Sequence, residues 1–150
     1  MLFRSMVPQI TRALIKNGQV MEQFKPEKIR RVISERTSRQ LVEVLKSVVK
    51  TGTGKKAALE GFDVAGKTGT AQKYNMETRS YSKTEFISSF IGFAPADSPR
   101  LVILVMIDNP QGSHWGSVVA APVFRQIAKK TLRYWKVPSS KERVFILDRA

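Results

Sequence analysis

The sequence contains no cysteine and only one histidine, His114. The absence of cysteine excludes disulfide scaffolds, Cys-ligated zinc, iron–sulfur clusters and a cysteine nucleophile. A single histidine also makes a histidine-based metal site and a Ser-His-Asp triad poor hypotheses. We therefore predict that this chain binds no metal and no cofactor.

Long apolar stretches are also missing. The longest uninterrupted one, residues 101–107, has seven residues, whereas a helix needs roughly 20 to cross a bilayer. The first ten residues lack the pattern of a secretory signal peptide. The sequence thus predicts no membrane-spanning segment within these 150 residues.

Acidic residues are scarce, since 12 Asp and Glu stand against 26 Lys and Arg and give a formal net charge of +14. This charge indicates an anionic partner, and nucleic acid, anionic lipid head groups and anionic cell-envelope polymers all fit it. No recognised nucleic-acid motif accompanies the basic clusters, so we predict no nucleic-acid partner. The hydrophobic content of 42% is that of a globular domain.

The order of the segments predicts an α+β fold. Helices are predicted over residues 8–16, 35–50 and about 117–136. Strands are predicted over residues 19–24, 29–33, 85–94 and 101–109, the last two as antiparallel neighbours. Ser34 is the expected N-cap of the second helix, and Pro122 moves the start of the third towards residue 121. Because residues 101–107 are apolar without alternation, we expect that strand to be covered on both faces.

One motif has two interpretations. The segment from Gly61 to Thr68 matches the phosphate-cradle pattern G-x-x-x-x-G-K-[ST]. A P-loop also needs a buried strand before the first Gly and a helix that begins at Lys-Thr. Neither pattern is present in the flanking sequence, so P-loop nucleotide binding at this segment is a minor alternative.

Read without its first Gly, the segment predicts a strand that carries Lys67, Thr68, Gly69 and Thr70 along an edge. Lys-Thr-Gly is a signature of serine β-lactamase and penicillin-binding protein chemistry. A cationic Lys and two hydroxyls, with a Gly that lets a ligand lie against the backbone, suit a peptide carboxylate and a developing oxyanion. An ordinary edge strand is the alternative if the tripeptide stands alone.

The resemblance runs from about residue 7 to residue 137 and does not depend on the tripeptide alone. Four segments recur in the same order in class B penicillin-binding proteins: residues 48–54, 64–73, 90–96 and 116–124. The chain resembles the C-terminal part of their transpeptidase domain, which cross-links peptidoglycan. The resemblance implies the α+β fold of penicillin-binding proteins and serine β-lactamases, with an antiparallel sheet packed by N- and C-terminal helices. It also implies that residues 1–150 are a partial domain. Independently of the resemblance, the polar residues after Pro138 predict a loose tail from about residue 138, with an edge strand over residues 144–147 as the alternative.

The resemblance further implies roles for single residues. Lys67 is expected to organise the hydrogen bonds and charge of the active site. Thr68 and Thr70 are expected to contact the carboxylate of the substrate or of a β-lactam, and the Thr70 N–H to be one of two oxyanion-hole donors. Gly69 is the position where a side chain would block the approach of a ligand. Lys67 and Thr70 are thus predicted to be catalytic, and all four residues to bind substrate.

The sequence departs from the family in one respect. The family needs a serine nucleophile in S-x-x-K and a second motif, S-x-N, both upstream of Lys-Thr-Gly. S-x-N occurs nowhere, and S-x-x-K occurs only at Ser47 and Ser80, which we interpret as chance matches on the surface. We interpret the chain as a fragment that begins downstream of the nucleophile and is inactive alone.

The parent enzyme is expected to use its serine on D-Ala-D-Ala stem peptides and to be anchored in the cell membrane, acting on the extracytoplasmic side. The expected partners are peptidoglycan stem peptides, β-lactams, the missing N-terminal part of the same polypeptide and other cell-wall synthesis proteins. The alternative is a free-standing, non-catalytic basic binding protein that retains part of the fold.

Overall fold

A computed structural model describes residues 4–139, and the predicted loose tail lies almost wholly outside them. The chain divides into two units, Met1–Gln40 and Leu41–Ala150. We call their described parts the N-terminal unit, residues 4–40, and the C-terminal unit, residues 41–139. The boundary between the two units falls inside a helix.

The N-terminal unit contains four short strands. They are β1 (Arg4–Met6), β2 (Ala13–Lys16), β3 (Gln19–Gln23) and β4 (Lys28–Arg31). β1 pairs with β4 and β2 with β3, both antiparallel, in two separate two-stranded sheets. Of the strand residues only Ser5 and Ala13 are half-buried, and the others are exposed. The N-terminal unit therefore holds its strands by backbone pairing with little side-chain burial.

The helix predicted over residues 8–16 is wrong, because part of that segment is strand β2. Lys16 pairs with Gln19 across Asn17 and Gly18, whose φ angles are 51° and 77°. Positive φ at both central residues is typical of the tight hairpin turns that favour Asn-Gly. The Asn-Gly pair thus closes a β-hairpin here, and it is not a helix stop. The strands predicted at residues 19–24 and 29–33 are confirmed by β3 and β4.

Helix α1, Glu35–Lys50, has the bounds that the sequence predicts. The Ser34 hydroxyl accepts a hydrogen bond from the Thr37 N–H at 3.1 Å, which confirms the predicted N-cap. The apolar residues of α1 are only partly covered. Val49 is 4% exposed and belongs to the core, whereas Val44 is 59% exposed.

A three-stranded antiparallel sheet forms the centre of the C-terminal unit. After a single 3₁₀ turn, Lys55–Ala57, the strands are β5 (Ala65–Asn75), β6 (Ser80–Ala94) and β7 (Leu101–Asp108), in the order β5-β6-β7. The predicted antiparallel neighbours are confirmed as β6 and β7, with β6 starting earlier than predicted. The central strand β6 fixes the register on both sides, because Phe90 faces Thr68 of β5 and Val105 of β7.

The expectation that residues 101–107 are covered on both faces is wrong. β7 is an edge strand with alternating burial: Leu101 and Val105 are buried, whereas Val102, Leu104 and Met106 are 56–63% exposed. Among the described residues one sheet face is packed and the other is open. When successive residues of a strand are all apolar, both faces of the strand are apolar, and the sequence does not reveal which of them is covered.

Two helices end the described chain, α2 (Gly116–Val119) and α3 (Ala121–Tyr134), and Pro122 lies in the first turn of α3 as predicted. α3 covers the packed face of the sheet. Phe90 of β6 and Phe124 of α3 are fully buried and meet edge to face, with ring centroids 4.8 Å apart. This aromatic pair anchors the core and confirms that the C-terminal helix packs the antiparallel sheet.

Candidate active site

The four residues of the predicted site lie together on strand β5, at one edge of the sheet. In the register with β6, Lys67 faces Ile91, Gly69 faces Ser89 and Thr70 faces Ser88. Because side chains alternate along a strand, Lys67 belongs to the open sheet face and Thr68 and Thr70 to the packed face. Among the described strands β5 pairs only with β6, so alternate backbone N–H groups of β5 point away from the sheet.

Lys67 supplies the positive charge of this edge. Its exposed Nζ donates a hydrogen bond to the Thr68 carbonyl oxygen at 2.8 Å and lies 3.5 Å from the Thr68 hydroxyl. Within residues 4–139, no carboxylate lies within 4.0 Å of this Nζ. The ammonium group is thus held beside a hydroxyl with donor capacity left for an anionic ligand.

Thr68 is positioned from outside the strand by a residue that the sequence did not single out. The hydroxyls of Thr68 and Thr53 are 3.0 Å apart, within hydrogen-bond distance. Thr53 lies in the loop that follows α1. This loop carries a Thr-Gly-Thr-Gly sequence and belongs to the first of the four segments that resemble class B penicillin-binding proteins, but neither signal indicates the role of Thr53 itself.

Thr70 is fixed by the start of helix α2. Its hydroxyl accepts a hydrogen bond from the Gly116 N–H at 3.2 Å. Gly116 approaches the strands so closely that an added Cβ would overlap the Ser89 carbonyl oxygen and lie 2.5 Å from that of Gly69. The position therefore requires glycine, and the contact ties the site strand to α2.

Gly69 leaves room between the two Thr residues. A Cβ at this position would lie 2.5 Å from the Ser89 hydroxyl oxygen of the neighbouring strand. A larger residue would either displace Ser89 or fill the open face beside Lys67. The absence of a side chain thus keeps the backbone of β5 accessible at the centre of the motif.

An aromatic cluster stands beside this end of the sheet. His114 is half-buried and stacks on Phe86 with ring centroids 4.2 Å apart, and Trp115 lies 4.6 Å from His114. The buried Ser88 hydroxyl donates a hydrogen bond to the His114 carbonyl oxygen. The cluster is therefore anchored to β6, and it leads directly into Gly116.

The start of β5 is held by a lysine of α1. Lys46 Nζ lies 3.1 Å from Asp63, 3.3 Å from Asp97 and 3.3 Å from Glu43. Burial opposes the charged form of Lys46, but hydrogen bonds and charge from Asp63 and Asp97 outweigh it and raise its pKa above the usual range. The Ala96 N–H also donates to the Asp63 carbonyl oxygen at 2.8 Å. These bonds join α1, the segment before β5 and the β6–β7 connector.

Residues 4–129 match the family described as the penicillin binding protein transpeptidase domain. The chain belongs to this family. It is 47% identical over 116 residues to Stage V sporulation protein D of Bacillus subtilis, covering 77% of this chain and 18% of that protein. It is 43% identical over 145 residues to the penicillin-binding protein PbpB of Mycolicibacterium smegmatis, covering 90% of this chain and 22% of that protein.

Solved structures show the same fold. Penicillin binding protein 3 of Mycobacterium tuberculosis, complexed with ampicillin, has a TM-score of 0.72 at 36% identity, covering 83% of this chain and 29% of that one. The transpeptidase domain of penicillin-binding protein 3 from Burkholderia pseudomallei has a TM-score of 0.68 at 38% identity, covering 85% and 37%. The predicted class B transpeptidase part and its fold class are confirmed.

The chain spans about a fifth of the length of the curated relatives that it matches. The structure places neither S-x-x-K serine in a transpeptidase-type nucleophile site. The Ser47 hydroxyl donates to the Val44 carbonyl oxygen within α1, and the Ser80 hydroxyl pairs with that of Thr78 at a hairpin. Both serines are exposed, as the chance-match interpretation predicts.

The fold also decides against the P-loop alternative. In the transpeptidase domain Lys67 and Thr68 lie inside an 11-residue strand, whereas a phosphate cradle needs a helix to begin there. Within the described part of the chain, no group of three or more His, Asp or Glu side chains could hold a metal ion. No helix of residues 4–139 is long and apolar enough to span a bilayer.

Proposed function

We propose that this chain supplies the substrate-binding and oxyanion strand of a peptidoglycan D,D-transpeptidase. The observation that carries the proposal is the exposed Lys67 ammonium, which has no carboxylate partner among the described residues and lies on an edge strand beside the Thr68 hydroxyl. A stem peptide that lies along this edge would offer its C-terminal carboxylate to Lys67, Thr68 and Thr70. Gly69 leaves the space for its backbone.

The reaction itself needs a serine from the preceding part of the domain. That serine attacks the carbonyl carbon between the two D-Ala residues and forms an ester, and the terminal D-Ala leaves with a proton on its amine. The amine of a second stem peptide then attacks the ester and forms the cross-link, and a proton from this amine passes to the serine oxygen as the ester bond breaks. The Thr70 N–H stabilises the oxyanion in both steps, and Lys67 orients the groups around it.

The open face of the sheet, to which Lys67 belongs, carries exposed apolar side chains that a partner would cover. Ile91 lies directly opposite Lys67 and is 48% exposed, and Leu104, opposite Ile91, is 56% exposed. Val102 and Met106 continue this apolar surface along β7. We assign this face to the preceding part of the same polypeptide, because a partner seated there would bring its serine to Lys67.

The cellular location is inferred from the family of the chain. The relatives are penicillin-binding proteins, and such enzymes act on a substrate outside the cytoplasmic membrane. We assign the longer protein to the extracytoplasmic side of the cell membrane, where other cell-wall synthesis proteins are its partners. Family membership is the observation that supports this assignment.

A chimera tests the assignment of Lys67. The chain replaces the matching segment of Stage V sporulation protein D, and covalent labelling with a fluorescent penicillin is followed over time. We expect the chimera to be labelled and Lys67→Met to reduce the labelling rate by about 100-fold or more, since a positioned charge acting on the transition state is lost.

The matched control is Lys73→Met, on the same strand. Lys73 is bound to Asp108 at 3.0 Å and is not assigned to the site. This control is expected to label within about twofold of the unsubstituted chimera. Labelling of Lys67→Met at the unsubstituted rate, in a chimera that is itself labelled, would overturn the assignment.

A further inference from the structure

A groove of about 550 Å³ runs between α3 and the loop over residues 58–62, within the C-terminal unit. We call it the α3 groove. None of the four residues assigned to the transpeptidase site lines its described wall. It therefore needs an explanation other than the cross-linking reaction.

One wall of the groove carries three cations of α3, Arg125, Lys129 and Arg133. Their spacing of four residues puts them on one helix face, about 6 Å apart along the axis and spanning about 12 Å in total. Within residues 4–139, no carboxylate lies within 4.0 Å of any of the three. Glu60 is the single acidic residue of the described lining, so the groove keeps a net positive charge.

The floor of the groove is apolar and firmly supported. Leu59, Phe62 and Val137 line it, and all three are half-buried and packed against the core cluster of the unit. Like charges held in a row over such a floor repel one another unless an anion lies between them. A ligand that fits would thus carry several negative charges and at least one apolar group.

We propose that the α3 groove binds an acidic peptide segment of a partner protein, with carboxylates facing the three cations and an apolar side chain on the floor. Carboxylates on every second residue of an extended peptide are about 6.6 Å apart, which matches the spacing of the cations. A single small anion would not span them. This inference goes beyond the proposed transpeptidase function.

Other anionic partners fit the groove less well. A membrane surface requires exposed apolar groups, whereas here Leu59, Phe62 and Val137 are half-buried and the three cations are exposed. Single-stranded nucleic acid requires open aromatic faces on which bases stack, whereas the one aromatic of the described lining, Phe62, is half-buried. The chemistry of the lining therefore favours a peptide.

The test uses the full chain and a fluorescein-labelled peptide of four Val-Glu repeats, with binding followed by fluorescence anisotropy at about 150 mM salt. We expect saturable binding, and no binding of the matching Val-Gln peptide. Lys129→Glu is expected to weaken binding by about tenfold or more, because it puts a like charge opposite the ligand.

Lys130→Glu is the matched control. Lys130 is the next residue of the same helix, is exposed and does not line the groove, and its replacement changes the net charge by the same amount. Binding is expected to stay within about twofold. Far-UV circular dichroism checks that both variants keep their helices. Equal loss in both variants, or no binding of the Val-Glu peptide, would overturn the proposal.

Two further probes test whether the ligand of the groove is a membrane surface or a nucleic acid and not a peptide. Phosphatidylglycerol vesicles and an eight-residue oligothymidine are titrated into the same three proteins. We expect neither probe to distinguish Lys129→Glu from Lys130→Glu. If either probe binds more tightly than the peptide and loses affinity only in Lys129→Glu, the groove belongs to that ligand, and the peptide assignment is wrong.

Discussion

The N-terminal and C-terminal units are both built with antiparallel strands, but only one of them has a core. In the C-terminal unit, a face of the sheet is closed by α3, and Phe90 and Phe124 are fully buried. In the N-terminal unit the pairing is equally regular, yet Ile10, Ile15 and Ile29 are each more than half exposed. Backbone pairing alone thus does not bury side chains, and a two-stranded sheet is marginal in water without a packed face.

The largest expected loss of stability comes from a substitution in the core of the C-terminal unit. Phe124→Ala removes one of two rings that meet at 4.8 Å and leaves a cavity beside Phe90. We expect a loss of about 3–5 kcal/mol in the free energy of unfolding, measured by urea denaturation of the full chain. Phe24→Ala, at a position that is 37% exposed in the N-terminal unit, is expected to cost about 1 kcal/mol or less. Similar losses in both variants would mean that the two units do not differ in packing.

A smaller loss of stability is expected from substitutions at two glycines, Gly116 and Gly18. Gly116→Ala forces a Cβ against the backbone of Gly69 and Ser89, where no flexible side chain can give way. We expect a loss of about 2–3 kcal/mol in the unfolding of the C-terminal unit. Gly18→Ala has open space around its Cβ but a φ of +77°, so only the strained turn costs energy, about 1 kcal/mol.

Hydrogen exchange of the amides in each unit separates the two effects. Gly18→Ala should speed exchange in β2 and β3 and leave β6 unchanged, whereas Gly116→Ala should speed exchange in β5 and β6. Unchanged β6 protection in Gly116→Ala would contradict the close approach that the structure shows.

The smallest effect concerns the ion pairs of Lys46. Lys46→Met removes its contacts with Asp63, Asp97 and Glu43 and is expected to cost about 1 kcal/mol of unfolding free energy. Lys50→Met, at an exposed position on the same helix, is the matched control and should cost a few tenths of that.

The pH dependence of this effect has a defined sign. The pKa of Lys46 in the folded chain lies above the 10.5 of an ordinary lysine. Its contribution is therefore fully present below about pH 10.5 and is lost as the pH rises through the folded pKa. The difference between the unsubstituted chain and Lys46→Met should stay constant from about pH 6 to 9 and shrink only above about 10.5. A difference that already shrinks between pH 6 and 9 would contradict this account.

Much of the fold could be predicted from local sequence. α1 was predicted to the residue because its cap and its apolar period agree, and the β6–β7 pair because two apolar runs flank a short Pro-containing connector. β2 could not be predicted from its own residues, since Asn17-Gly18 closes a hairpin as readily as it ends a helix. Only one face of β7 is covered, because α3 packs on that side of the sheet. The seven apolar residues of β7 do not indicate where α3 lies.

The candidate site likewise has a part that local sequence predicts and a part that depends on tertiary contacts. Lys67, Thr68, Gly69 and Thr70 are adjacent in the chain, so a motif could indicate them. Thr53 and Gly116 meet these residues only through the fold, from positions 15 and 46 residues away. Their roles depend on distances that the sequence alone does not contain.

The close approach of Gly116 to the site strand has an evolutionary consequence. Every codon change that alters this amino acid adds a Cβ that would overlap the backbone of β5 and β6. Substitution at this position is therefore excluded, whereas the neighbouring Trp115 is 58% exposed and has space for other side chains on its solvent side. Among related sequences we therefore expect position 116 to stay glycine, whereas the adjacent position 115 accepts a wider range of residues.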